Sequence, residues 1–239
     1  MRRRFFVDRF ENESAVMEGE AAHHLGRVLR AQVGQLYELS DGSEAWLAEI
    51  FGVSRDRVEF RLVEKLTSFH PAIHSTLLLA VVKFDAFEWA LEKATELGVA
   101  RVVPLATSRS EKALLGAAPK RAERWKKILL ESSQQSRRIQ VPLLEPVAKP
   151  ETAFLAAGDG LRVMLSESGT ARPLRDVLMG VRAQQVALAI GPEGGWTEEE
   201  FAAARAASFH EASLGKLILR TETAVAAGLA CLNFALGLE

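Results

Sequence analysis

The chain has 239 residues, of which 48% are hydrophobic and 26% are charged, and its formal net charge is -1. These values are typical of a globular protein with one large or two modest domains, and they exclude a general electrostatic attraction to nucleic acid. The single cysteine excludes an intramolecular disulfide, and the lack of a membrane-length apolar run or a secretory signal predicts a cytoplasmic protein with no membrane partner.

The first part of the chain has the alternating pattern of short strands. Apolar and polar residues alternate over residues 4–7, 35–39, 45–50 and 57–63, which predicts a small barrel or sandwich. Ala22, Leu25 and Leu29 are at helical spacing and predict one short helix over residues 20–29. Pro71 disfavours helix at the residue before it, so we place a domain boundary near residues 67–72.

From Thr76 onward strands and helices alternate, which predicts a parallel α/β sheet. Apolar runs indicate strands over residues 77–82, 99–105, 161–165 and 186–190. Asp85 and Glu88 have the spacing of a capping box and predict a helix that ends at Gly98. Further helices are predicted over residues 119–135, beginning at Pro119, and over residues 174–178.

A glycine-rich loop, residues 190–195, follows the last of these strands. Thr197 and Glu200 have capping-box spacing, so a helix is expected over residues 198–207. Turns of this kind lie at the carboxyl ends of parallel strands, where ligands bind. The glycine spacing matches neither a P-loop nor a dinucleotide fingerprint. Simple turn chemistry is therefore the alternative to a ligand site.

A second segment, residues 214–224, repeats this arrangement. Gly215 lies between apolar residues, and Thr221 is expected to cap a helix in which Val225, Leu229, Leu232 and Leu236 recur at helical spacing. Arg220 and Glu222 form a charged pair between an apolar loop and an apolar helix. Packing alone does not select these residues, so we interpret the two segments as one binding site.

Basic residues cluster locally although the net charge of the whole chain is only -1. One cluster lies in the first thirty residues and a second over residues 120–138. Such clusters are what a phosphate-binding surface needs, although solvated surface faces are the alternative. The five histidines are scattered without metal-ligand spacing, so no metal is expected.

Ordered motifs along nearly the whole chain resemble those of one enzyme family. They are Arg4-Phe-Phe, His24, residues 28–30, Lys83, Lys93, residues 95–99, Pro104, Arg109-Ser110, Gln135-Ser136, Arg138, Pro142, residues 191–195, Leu214-Gly215 and residues 219–224. The chain thereby resembles the bacterial 16S ribosomal RNA uridine-N3 methyltransferases of the RsmE type. These belong to the SPOUT class, whose α/β domain contains a trefoil knot.

The resemblance implies a PUA-like RNA-binding β-barrel over residues 1–68 and a SPOUT α/β domain over residues 75–239, with a mostly parallel sheet and a C-terminal knot. It further implies S-adenosylmethionine as methyl donor, 16S ribosomal RNA in the small subunit or its precursor as partner, and a homodimer through the knotted domain. The implied donor contacts come from three loops: Leu165, Ser166, Glu167; Ile190, Gly191, Pro192, Glu193, Gly194, Gly195; and Leu214, Gly215, Leu217, Ile218, Leu219, Thr223, Ala224.

Methylation at N3 of uridine requires loss of the N3 proton, and a cation near O2 or O4 stabilises the resulting anion. Arg220 suits this role, and Glu222 or Glu193 is a candidate base or positions the arginine. The alternative is a structural ion pair or loop anchor. Candidate RNA contacts are Arg2, Arg3, Arg4, Arg27, Arg30, Arg109, Gln135 and Arg138.

Two other functions remain open on the sequence alone. One is a methyltransferase of the same class acting on tRNA or another ribosomal RNA site. The other is an RNA-binding protein without catalysis, which an intact set of donor loops disfavours.

Overall fold

The computed structural model describes residues 4–237. The described chain forms two compact units. The first contains the residues up to His70 together with Ser133–Val141, and the second contains Pro71–Ser132 and the residues from Pro142 onward. The first unit is therefore built from two stretches that are distant in sequence.

Six strands form the sheet of the first unit, in the order β1-β4-β5-β6-β3-β2. They are β1 (Arg4–Phe6), β2 (Phe10–Glu11), β3 (Ser14–Glu18), β4 (Leu36–Ser40), β5 (Ala45–Val53) and β6 (Arg57–Leu66). β1 and β4 are parallel, and the other neighbours are antiparallel. The inward residues of the alternating pattern, such as Phe5, Ile50 and Phe60, form a buried core.

The four predicted strands are confirmed, while β2 and β3 were not predicted. The helix predicted over residues 20–29 is instead the short α1 (Gly19–His23) followed by a π-helical turn at His24–Val28. The turn ends at Arg30, whose φ of 53° is left-handed and stops further helix.

The segment Ser133–Val141 packs on the edge of this sheet through polar contacts. The Arg4 Nη1 group donates to the carbonyl oxygen of Arg137 (2.6 Å), and the Arg4 Nη2 group forms a buried ion pair with Glu38 (3.0 Å). The Ser40 hydroxyl donates to the carbonyl oxygen of Ile139 (2.8 Å). β1 and β4 thus hold a chain segment that follows them by about a hundred residues, since Ser40 and Ile139 are 99 positions apart.

The second unit contains a sheet of seven strands in the order β11-β13-β10-β12-β7-β8-β9. The strands are β7 (His74–Ala80), β8 (Arg101–Leu105), β9 (Leu143–Leu144), β10 (Leu161–Leu165), β11 (Arg172–Pro173), β12 (Gln185–Ile190) and β13 (His210–Ser213). All neighbouring strands are parallel, as the apolar runs predicted.

Six helices connect these strands or follow them. They are α2 (Phe84–Glu96), α3 (Lys112–Gln135), α4 (Pro150–Leu155), α5 (Leu174–Leu178), α6 (Glu198–Ala206) and α7 (Thr221–Leu236). α7 packs against α2, and the Asn233 side chain donates to the carbonyl oxygen of Leu97 at the end of α2 (2.7 Å). None of the helices described between residues 4 and 237 is long and apolar enough to cross a membrane.

Three helix starts differ from the sequence prediction. α2 begins at Phe84 with no side-chain cap, because the buried Glu88 carboxylate binds Arg124 (2.8 Å) and not the helix start. α3 begins at Lys112, so Pro119 lies inside the helix. Thr221 is the first residue of α7 and not its cap, because its hydroxyl donates to the carbonyl oxygen of Gly191 (3.3 Å).

Candidate active site

Three loops at the carboxyl ends of β10, β12 and β13 surround one cavity of about 390 Å³. β10 lies between β12 and β13 in the sheet, so the loops that follow these strands are neighbours. A volume of this size is within the range of small-ligand sites. The cavity is lined by Arg109, Leu165, Ser166, Glu167, Ser168, Ile190, Gly191, Pro192, Glu193, Gly194, Gly195, Trp196, Phe201, Ser213, Leu214, Gly215, Leu217, Ile218, Leu219, Arg220, Thr221 and Ala224.

The glycine loop is tightly packed and held in one conformation. Gly195 has a φ of 71°, which favours glycine, and its N–H donates to the carbonyl oxygen of Pro192 (2.8 Å). A Cβ on Gly191 would lie 3.0 Å from the Trp196 ring. The indole N–H of Trp196 donates to the carbonyl oxygen of Leu165 (2.9 Å), so the ring connects the glycine loop to the end of β10.

The helix after the glycine loop begins as predicted. Thr197 is the N-cap of α6, and the reciprocal hydrogen bonds of the capping box with Glu200 are both formed. This cap fixes the point at which the loop ends. The helix N-terminus therefore positions the glycine loop relative to β12.

The second wall of the cavity is the segment from Ser213 to Ala224. The Ser213 hydroxyl binds both the carbonyl oxygen (2.8 Å) and the N–H (3.1 Å) of Gly215, which fixes the turn after β13. Further along, Leu217 and Ile218 are 84% and 78% exposed. The segment therefore presents two large apolar side chains to solvent beside the cavity.

The charged residues at the cavity are not arranged as a simple pair. Arg220 lines the cavity, whereas the half-buried Glu222 does not, and no ion pair joins the two in the part of the chain that the structure describes. The Arg109 Nη1 group donates to the carbonyl oxygen of Gly194 (2.5 Å) in the glycine loop. The structural ion pair that was the alternative reading of Arg220 and Glu222 is therefore not formed among the described residues.

Of the residues predicted to contact the methyl donor, all but one line the cavity. The exception is Thr223, which is exposed on the first turn of α7 and does not line the cavity. Between residues 4 and 237 no group of three or more histidine, cysteine or acidic side chains is placed to hold a metal ion.

Two protein-family models match the chain. The model described as an RNA methyltransferase domain matches residues 70–233, and the model described as an RNA methyltransferase PUA domain matches residues 18–63. A ribosomal RNA small subunit methyltransferase E from Synechocystis is 34% identical, with 88% of this chain and 70% of the relative aligned. The enzyme of the same name from Bacillus subtilis is 30% identical, with 90% and 88% aligned.

The chain belongs to the ribosomal RNA small subunit methyltransferase E family. Solved structures of similar proteins support this family assignment. The family member from Neisseria gonorrhoeae bound to S-adenosyl methionine superposes with a TM-score of 0.89 at 28% identity, with 99% of each chain covered. A putative methyltransferase from Legionella pneumophila in complex with the same cofactor gives a TM-score of 0.87 at 29% identity, with 100% of each chain covered. The predicted α/β fold with an N-terminal PUA-like domain is confirmed.

The candidate RNA contacts of this methyltransferase family member have different environments. Arg4 is only 6% exposed and its guanidinium binds Glu38 and Arg137, so burial contradicts the prediction that it contacts a phosphate. Arg27 and Arg30 are exposed on the turn after α1. Arg2 and Arg3 lie outside the described residues.

The other candidates are Gln135, Arg138 and Arg109. Gln135 is exposed at the end of α3. Arg138 donates from Nε to the carbonyl oxygen of Gln140 (3.0 Å), and burial lowers the pKa of its guanidinium to about 10, so it stays charged at neutral pH. Arg109 is exposed and is the only RNA candidate among the described residues that lines the cavity.

Sequence reasoning missed five residues that line the cavity: Ser168, Trp196, Phe201, Ser213 and Thr221. Four of them directly adjoin predicted segments, and continuity along the chain was a usable signal. Phe201 lies one turn into α6, and only the packing of that helix brings it to the cavity.

Proposed function

We propose that this protein transfers a methyl group from S-adenosylmethionine to N3 of a uridine in 16S ribosomal RNA, within the small subunit or its precursor. One observation carries the proposal: the three loops that the family resemblance assigned to the methyl donor surround a single cavity. In this proposal residues 75–239 carry out the transfer and residues 1–68 help to bind the RNA. The reaction takes place in the cytoplasm.

The cavity suits a nucleoside-containing donor. Its walls combine apolar side chains, such as Leu165 and Leu219, with a loop rich in glycine whose backbone is accessible. Backbone groups that are fixed in position recognise the polar edge of a base without a charged partner. The N–H groups of Leu217 and Ile218 form no backbone hydrogen bond among the described residues and are available to such an edge.

When bound, S-adenosylmethionine supplies a methyl group on a positively charged sulfur: the N3–C bond forms, the C–S bond breaks to leave a neutral thioether, and the N3 proton leaves to a base. The protein must therefore stabilise negative charge that develops on the uridine. Arg220 is exposed at the cavity wall, and the fixed donors of its guanidinium suit the oxygens that flank N3. We assign it the stabilising role.

Two carboxylates near the cavity are candidates for the proton acceptor. Glu193 is exposed and lines the cavity, while Glu222 is adjacent to the wall but does not line it. A carboxylate acts as a base only where it reaches the proton directly or through one water. Glu193 meets this condition better than Glu222, because Glu193 lines the cavity, and Glu222 is the second candidate for the base.

The proposal includes a homodimer formed through an apolar groove beside the donor cavity. The groove has a volume of about 1120 Å³ and is lined by parts of α5 and α7. Phe234 and Met179 in this groove are 75% and 76% exposed. Apolar surface of this extent marks an interaction site, and a second copy of the chain is the occupant proposed.

Labelled methyl transfer tests the function. The purified protein is incubated with small ribosomal subunits, bare 16S RNA and tRNA, and primer extension then locates the product. A methyl at N3 blocks base pairing, so one strong stop in 16S RNA is expected. Label in tRNA alone would favour the related tRNA activity, and donor binding measured by titration calorimetry without any transfer would favour an RNA-binding protein.

A further inference from the structure

The carboxylate of Glu200 connects two different elements. It is 5% exposed. Its Oε2 accepts a hydrogen bond from the N–H of Thr197 (2.8 Å), which is the capping-box contact. Its Oε1 accepts from the N–H of Ser108 (2.8 Å), which lies on the loop after β8. The helix cap therefore accounts for one oxygen of this buried group, and the other oxygen holds a second loop.

That second loop is rigid and carries Arg109. The Thr107 and Ser110 hydroxyls are 2.7 Å apart, and the Ser110 hydroxyl donates to the carbonyl oxygen of Val81 (2.7 Å). Both residues are buried, whereas Arg109 between them projects outward. Glu200 at one end and Ser110 at the other thus determine where the arginine leaves the loop.

Arg109 lies across the glycine loop. A Cβ on Gly194 would lie 3.4 Å from both Cβ and Cδ of Arg109, and the guanidinium donates to the carbonyl oxygen of Gly194 (2.5 Å). The next N–H, that of Gly195, is bound to Pro192. Both polar groups of this peptide are therefore occupied, and at this point of the wall the guanidinium is the group that still has free donors.

Most of the hydrogen-bonding capacity of Arg109 is unused. A guanidinium has about five N–H donors, and the Gly194 carbonyl takes one. No acidic side chain lies within ion-pair distance of Arg109 in the described part of the chain. A positioned cation at a cavity wall with free donors fits an anionic oxygen.

We propose that Glu200 is a positioning residue that holds Arg109 at the cavity, where Arg109 binds an anionic oxygen of the RNA substrate. The proposal rests on the proposed function in its choice of RNA as the ligand. It adds an indirect role for Glu200, which has no contact with the substrate and acts through the Ser108 N–H.

A double-mutant cycle tests this coupling through RNA binding by the donor-free protein. The variants are Arg109→Ala, Glu200→Gln and the double variant, and the probe is an unmodified 16S RNA transcript. Each single change is expected to weaken RNA binding by about tenfold, the usual effect of losing a charge-assisted hydrogen bond. The double variant is expected to bind RNA as Arg109→Ala does, and in each variant S-adenosylmethionine affinity is expected to fall by less than RNA affinity does.

Two controls separate positioning from helix capping. Thr197→Ala removes the other half of the capping box but leaves the Ser108 contact in place, and Glu198→Gln removes a charge from the same helix turn. Both are expected to retain RNA binding within about twofold. If Glu200→Gln does not fold, Glu200→Asp keeps the charge but is too short to reach both N–H groups.

Several results would overturn the inference: additive losses in the double variant, a Thr197→Ala loss equal to that of Glu200→Gln, or an Arg109→Ala loss confined to S-adenosylmethionine binding. The failure of the proposed function looks different. In that case the wild-type protein would bind RNA and show the same cycle but transfer no methyl group.

Discussion

Arg220 was predicted from the sequence to act at the donor site, and in the structure it lines the donor cavity. It immediately precedes α7 and its side chain is at the wall of the donor cavity. Arg220→Ala is expected to lower the rate of methyl transfer by about 100-fold or more, the usual cost of losing one donor to a developing anion. Single-turnover transfer measures this loss, and calorimetry is expected to show donor affinity within severalfold of wild type.

Arg205→Ala is a suitable control, because Arg205 is an exposed arginine in the last turn of α6 and does not line the cavity. It is expected to keep full activity. Full activity in Arg220→Ala as well would exclude the arginine from the chemistry and leave it as a loop anchor.

Arg4 has a structural role that the sequence did not indicate. Its ion pair with Glu38 is buried, and Arg137 supplies a second cation at 3.5 Å from the same carboxylate. Arg4→Met is expected to lower the free energy of unfolding by about 3 kcal/mol, since a buried carboxylate loses its nearest cation. Urea denaturation measures this change.

The exposed ion pair of Arg9 and Glu11 provides the matched control. Arg9→Met is expected to leave the unfolding midpoint almost unchanged, because solvent screens exposed pairs. If the two variants were equally stable, the buried ion pair would contribute no more to the free energy of unfolding than the exposed pair does.

Among the elements, the glycine loop is the one whose shape limits what it can bind. Trp196 is buried and hydrogen-bonded to Leu165, so its ring cannot move away from a side chain added at Gly191. Gly191→Ala is expected to displace the loop and to weaken S-adenosylmethionine binding by about tenfold, as overpacking of this kind does. Titration calorimetry measures the change.

Gly116→Ala, on α3, introduces the same methyl where no atom lies within 4 Å. Its donor affinity is expected to equal that of wild type. Equal affinity in Gly191→Ala would mean that the contact with the Trp196 ring does not constrain the loop.

The elements that the sequence predicted well are those with a strong local signal. The buried strands β7, β10 and β12 are rich in apolar residues, and the Thr197 cap is a local pattern that the structure reproduces. The prediction failed at Asp85, because a distant residue, Arg124, binds the carboxylate that the local pattern assigned to the cap. It also missed β2, whose two residues are too few to show alternation.

The candidate site was predicted for similar reasons. The glycine loop and the segment after β13 follow strand ends and carry glycines, so their adjacency in the sheet could be anticipated. The loop after β10 was assigned by the family resemblance alone. The link between Glu200 and Ser108 spans 92 positions and leaves no trace in local spacing. The trefoil knot stays a prediction from the family resemblance, since no pattern of apolar or turn residues indicates that a chain is threaded.

At the scale of the whole molecule, the apolar groove of α5 and α7 predicts self-association. Phe234→Glu is expected to convert a dimer into a monomer, because a charge at the centre of an apolar interface is not compensated. Light scattering coupled to size-exclusion chromatography measures the mass. Leu155→Glu, on α4 outside the groove and 74% exposed, is the control that should remain dimeric.

The contact between Arg4 and Arg137 joins positions that are 133 residues apart. During synthesis, the first sheet is therefore made long before the segment that covers its Arg4–Glu38 edge, and α2 and α3 emerge in between. A fragment that ends at His70 would lack this cover and would expose the ion pair to water. The order of synthesis thus delays completion of the first unit until about two fifths of the second has been made, which is slower than folding from local contacts.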